Sequence, residues 1–177
     1  FAPNVIKVGI SQEERGIRRL LEQGARLAIK LETFSSALIA RQYEAKISKL
    51  DGIAETLPVH KKMELIKQPF DRAIGERELQ QKLLEIEQKI GVSFPKSKLI
   101  PCEDYFQTAG VDLSRVVLMK DYSQLVGHVR SVIGSIVITD YNGQLLAYNI
   151  KKLIGYRAQK IDGEIELDLP TEQLTLF

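Results

Sequence analysis

The chain has 177 residues, 44% of them hydrophobic and 27% charged, with a formal net charge of +2. That length supports one domain or two small ones around a real core, and no stretch approaches the eighteen uninterrupted apolar residues of a membrane-spanning helix. The lone Cys102 excludes an internal disulfide and fits a reducing cytoplasm, where we place the protein.

The first predicted element is a short strand within residues 5–10, positioned to join the edge of a later sheet. Ser11-Gln12-Glu13-Glu14 has the form of a capping box, so a helix is expected to begin at Gln12. Apolar residues then recur at Ile17, Leu20, Leu21, Leu27, Leu31, Phe34 and Leu38, the three-and-four spacing of one buried stripe. Carried to Asp51-Gly52, that stripe describes a helix roughly 58 Å long, which needs a partner. Residues 59–68 supply a short helix broken by Pro69. Asp71 caps a second long helix bearing Ile74, Leu79, Leu83, Ile86 and Ile90, and Gly91 sits where a terminating glycine belongs. The expectation for residues 1–95 is therefore a long antiparallel helical hairpin paired in coiled-coil fashion, with Gly24 and Gly75 as points of close approach.

The period changes beyond residue 95. Residues 115–119 read as a strand, 121–133 as a helix capped by Asp121, and 135–139 as another strand. Asn142-Gly143 is the strongest hairpin signal in the chain and returns residues 144–150 antiparallel; Asp162-Gly163 offers a second such turn, between residues 156–161 and 164–169. The predicted fold class is α+β, with the helical hairpin followed by a small, mainly antiparallel sheet and one packed helix over residues 96–170. Residues 171–177 form a tail released by Pro170.

Charge is uneven along the chain. Residues 1–50 carry 9 Lys and Arg against 5 acids, whereas residues 101–177 carry 7 against 10. A mildly basic N-terminal helix is suited to contact with DNA phosphates, although it falls short of the clustered stripe of a dedicated DNA binder. Two histidines and one cysteine do not make a four-ligand zinc site; His60 and His128 read as surface or packing residues, and the acids beside Cys102 are expected to raise its pKa rather than activate it. No phosphate-binding or nucleophile-elbow motif is present, and neither a metal nor a cofactor is expected.

Two resemblances carry the functional expectation. The last five residues, Gln173-Leu174-Thr175-Leu176-Phe177, resemble the sliding-clamp-binding peptide of bacterial polymerases and repair factors. That resemblance implies a partner-binding site at Gln173, Leu174, Leu176 and Phe177, with the three apolar side chains entering pockets on the clamp. Burying them gains on the order of 5–8 kcal/mol against roughly 1–2 kcal/mol per residue ordered, so the tether is weak alone and useful in concert with a second contact. The segment from Ser135 to Lys151 resembles the central hairpin of the PD-(D/E)xK nucleases, whose acids hold divalent metal while a lysine helps to activate water. The matching positions are Ser135, Asn149 and Lys151, so only the lysine is kept, with Asp140 as the nearest substitute acid.

The sequence thus points to a non-catalytic accessory factor of bacterial replication, repair or a mobile element, recruited to the clamp by its tail. The alternatives are a DNA-acting enzyme with a nuclease-like core around Asp140 and Lys151, and a protein that self-associates through its helices. The chain opens on Phe1 rather than Met, which reads as a fragment or a trimmed product.

Overall fold

A computed structural model describes residues 1–161, 163 and 165–167. The fold is α+β, but the long N-terminal helical hairpin is not there. Residues 12–50 instead break into four pieces: a single 3-10 turn at Glu13–Arg15, helix α1 (Arg18–Gln23), strand β2 (Ala28–Lys30) and helix α2 (Ala37–Ile47). Gly24 explains the first break, because its backbone is left-handed (φ 74°) and its N–H closes the end of α1 on Leu20 and Leu21 carbonyls. The second helix has its own start, where the Ser36 side chain accepts the Leu38 N–H at 3.2 Å. Ser11 does not cap: its hydroxyl donates to the Gln12 carbonyl.

The earlier strand, β1 (Ile6–Lys7), pairs in parallel with β3 (Ile53–Ala54) rather than joining the main sheet, while β2 pairs antiparallel with β4 (Lys98–Ile100). Helix α3 (Val59–Leu65) precedes α4 (Arg72–Ile90), the one long helix among the described residues. As expected, Asp71 caps α4 by accepting the Ile74 N–H at 2.9 Å, and the helix ends at Gly91. The apolar stripe of α4 does find α2, but over a short span: Ile47, Ile86 and Phe94 are buried together with Ile53. Phe34 stacks on Tyr43 at 4.8 Å, and Tyr43 meets the Phe94 ring edge-on at 6.2 Å.

The third sheet has the order β5-β8-β7-β6, formed by β5 (Val117–Leu118), β6 (His128–Ile133), β7 (Ile136–Tyr141) and β8 (Gln144–Asn149). The helix expected over 121–133 is absent: residues 121–127 are irregular and 128–133 form β6. His-Val-Arg-Ser-Val-Ile is rich in β-branched residues and lies between Gly127 and Gly134, a context that favours a strand. Asn142 and Gly143 both take positive φ (51° and 82°), the geometry of the tight turn that joins β7 to β8. Of the expected second hairpin, residues 156–161 form no strand, and four of the eight residues 162–169 lie outside the described residues. Those described there pack on the sheet: the Tyr141 hydroxyl donates to the Ile165 carbonyl at 2.6 Å.

The main core gathers Ile133, Ile136, Ile138 and Ala147 of this sheet against Met63 and Ile66 near α3, together with Cys102, Phe106 and Val116. Each large aliphatic side chain removed from water there contributes about 1.5–3 kcal/mol. A single close approach fixes how α1 meets the sheet. Gly134, at the β6–β7 turn, presses so tightly on the end of α1 that an added Cβ would lie 2.9 Å from the Glu22 carbonyl and the Gly24 nitrogen.

Candidate basic cleft

The contact between Gly134 and α1 opens a cleft on its outer side. Its walls are Arg19, Glu22 and Gln23 of α1, the Gly134-Ser135 turn, and Ile150, Lys151 and Ile154 just beyond β8, enclosing about 300 Å³. A narrow fissure continues inward past Gln23 and Ser135 to Lys62 of α3 and to Arg26. Four distant stretches of sequence therefore meet at one place.

Its electrostatics are dominated by cations. Lys62 has its pKa pushed down to about 8, first by burial and then by the positive charges of Lys151, Lys7 and Arg19. Its ammonium group donates to the Gln23 carbonyl at 2.7 Å and lies 5.0 Å from the centre of the Phe1 ring. Burial and Arg19 also lower the pKa of Lys7, against an opposing pull from Glu44 and Glu55. Glu22 is the one acid in the cleft wall, and it is already engaged by Arg15 and, at 3.9 Å, by Arg19.

Neutral partners hold these side chains in place. Arg26, 6% exposed, donates to the Gln68 carbonyl at 2.9 Å and the Ile66 carbonyl at 2.6 Å, and its guanidinium lies over Phe70. It thereby anchors the end of α3 beside β2. Beyond β8, the Asn149 side chain accepts the Lys151 N–H at 3.1 Å and the Ile150 N–H bonds to the Ser135 carbonyl at 3.0 Å. Lys152 turns away to the Lys120 carbonyl and the Tyr122 ring. The neighbouring Lys151 is left on the cleft side.

The sequence-predicted residues fare unequally. Ser135 and Lys151, the ends of the segment with the nuclease-like resemblance, both line the cleft. Asp140 does not join them. In the register of the hairpin, Asn149 pairs with Ile136 and Asp140 with Leu145, so Asp140 lies roughly 13 Å along the strand, at 3.3 Å per residue, from Asn149, and Lys151 lies beyond that opposite end. The Asp140 carboxylate is instead used in the turn, accepting the Gly143 N–H at 2.9 Å. Among the described residues no group of three or more His, Cys, Asp or Glu is placed to hold a metal ion.

Cys102 is fully buried, and burial pushes its thiol up to about 11; the cause is desolvation rather than the neighbouring acids. Gln173, Leu174, Leu176 and Phe177 lie outside the described residues. Sequence reasoning missed Arg19, Lys62 and Lys7 as members of a site. The available signal was the basic bias of the first fifty residues, which does not say where the charges converge.

The cleft wall thus carries two basic side chains, Arg19 and Lys151, against one acid, Glu22. The chain belongs to the family described as "Protein of unknown function (DUF2797)", whose model matches residues 2–158. All the cleft residues fall within that match, and the tail falls beyond it. Neither the curated proteins nor the solved structures contain a match. No helix among the described residues is long and apolar enough to cross a membrane.

Proposed function

We propose that the protein is a non-catalytic accessory factor of bacterial DNA replication, repair or a mobile element, working in the cytoplasm, which holds nucleic-acid phosphates in the cleft and is tethered to the sliding clamp by Gln173, Leu174, Leu176 and Phe177. The observation that carries the first half is that Arg19 and Lys151 line one cleft with Lys62 in the fissure behind it, where Lys62 is repelled by Lys151, Lys7 and Arg19. Such an arrangement costs free energy in the empty protein and is offset when a polyanion enters. On this reading Arg19 of α1 makes the contact with DNA expected of the basic N-terminal region. The tail supports the second half by its resemblance to the clamp-binding peptide, and two weak contacts on one DNA-bound assembly reinforce each other.

The test has two arms. Binding of a labelled DNA oligonucleotide is measured by fluorescence polarization over a salt series for the parent chain and for Lys62→Ala combined with Lys151→Ala. The double variant is expected to bind at least about tenfold more weakly, with a salt slope reduced by about 2; equal binding removes the cleft from the function. In the second arm the chain is assayed against a purified bacterial sliding clamp, with Leu176→Ala combined with Phe177→Ala as the control. Loss of clamp binding without a change in melting temperature supports docking, and no binding by the parent refutes it.

A further inference from the structure

The cleft does not end at its cations. Immediately beyond Lys151 the chain makes a tight, internally bonded turn, in which the Ile154 N–H reaches the Lys151 carbonyl at 3.3 Å and the Tyr156 N–H reaches the Leu153 carbonyl at 3.2 Å. This turn holds two large apolar side chains out in solvent, Ile154 at 75% exposure and Tyr156 at 77%, with the exposed Arg157 next in sequence. Ile154 and Ile150 are themselves part of the cleft wall. An aromatic ring left in water two residues beyond Ile154 of the cleft wall has no evident role in the protein's own core.

Resting on the phosphate-binding proposal, we infer that the ligand of this cleft is a single-stranded nucleic acid, whose phosphates lie against Lys151 and Arg19, with the charge of Lys62 behind them, while an unpaired base stacks on Tyr156 beyond Ile154. A duplex keeps its bases stacked on one another and offers such a ring nothing, whereas every unpaired base presents a π-face to it. Cations in a groove with an aromatic platform at its rim are the general arrangement for holding a single strand without reading its sequence. An anionic lipid surface also attracts Lys, Ile and Tyr side chains. It would meet them on a protruding, outward-facing patch, however, whereas Arg19 and Lys151 line a recess between α1 and the Gly134-Ser135 turn.

Polarization assays on the full chain compare a labelled thymidine oligonucleotide, an abasic oligonucleotide with the same number of phosphates, and a duplex of the same length. The thymidine strand is expected to bind about 5- to 100-fold tighter than the abasic one, the range given by one base–aromatic contact. Tyr156→Ala should erase that ratio while leaving abasic affinity unchanged, and Tyr156→Phe should preserve it. Equal binding of thymidine and abasic strands by the parent chain, or preference for the duplex, overturns the stacking inference and leaves the phosphate-binding proposal intact. Failure to bind any of the three removes both. Vesicles containing phosphatidylserine form the last arm: Tyr156-dependent association with them, without discrimination among the oligonucleotides, assigns the patch to a membrane surface and overturns the inference.

Discussion

If Lys62 supplies a charge to the ligand, affinity must depend on pH in a window where ordinary lysines do not titrate. Its pKa of about 8 makes the protonated fraction about 0.9 at pH 7 and about 0.1 at pH 9. An anion held only by the charged form therefore loses roughly tenfold in affinity across that interval, about 1.4 kcal/mol. The assay is polarization of a labelled oligonucleotide at constant ionic strength from pH 7 to 9, for the parent, Lys62→Ala and Lys62→Arg. The parent should lose about tenfold, Lys62→Ala should bind weakly and evenly, and Lys62→Arg should bind well and evenly. A parent affinity constant within twofold, or the same decline in Lys62→Arg, would refute the assignment.

The same lowered pKa gives a stability prediction of opposite slope. Between about pH 8 and the ordinary lysine value of 10.5, the unfolded chain holds more protons at this position than the folded one, so Lys62 contributes increasing stability as pH rises. Chemical denaturation should show that contribution missing from Lys62→Met. Ile138→Ala removes a side chain with no exposed surface from the centre of the main core. It should cost about 3–4 kcal/mol and lower the melting temperature by about 10 °C. Gly134→Ala and Gly143→Ala form a pair, since both sites have positive φ (61° and 82°) but only the former would bring a Cβ to 2.9 Å from another segment's backbone. Gly143→Ala should cost about 1 kcal/mol of strain. Gly134→Ala should cost clearly more and weaken oligonucleotide binding too, because it displaces α1 from the turn.

Local chemistry made some elements legible before any coordinates. Asp71 and Gly91 bracket α4, and Asn142-Gly143 joins β7 to β8, because each works through its own neighbouring backbone groups. Residues 12–50 misled for the complementary reason. Their apolar spacing suits a helix, but Gly24 ends α1 and the following residues extend to pair β2 with β4, some seventy positions away. Strand β6 misled in the same way, since Asp121 looks like a cap and only pairing with β7 shows otherwise. Ser135 and Lys151 were legible as neighbours through the hairpin. Lys7, Arg19 and Lys62 were not, because their proximity is a product of tertiary closure and leaves no mark in local sequence.

That wide spacing along the chain has a thermodynamic consequence. With the four cations dispersed in the denatured ensemble, any multivalent oxyanion that fits between them is bound by the native form almost alone. Inorganic phosphate or a short polyphosphate should then act as a folding agent, raising the melting point by mass action. Chloride at matched ionic strength would screen the mutual repulsion without bridging it, and should achieve less.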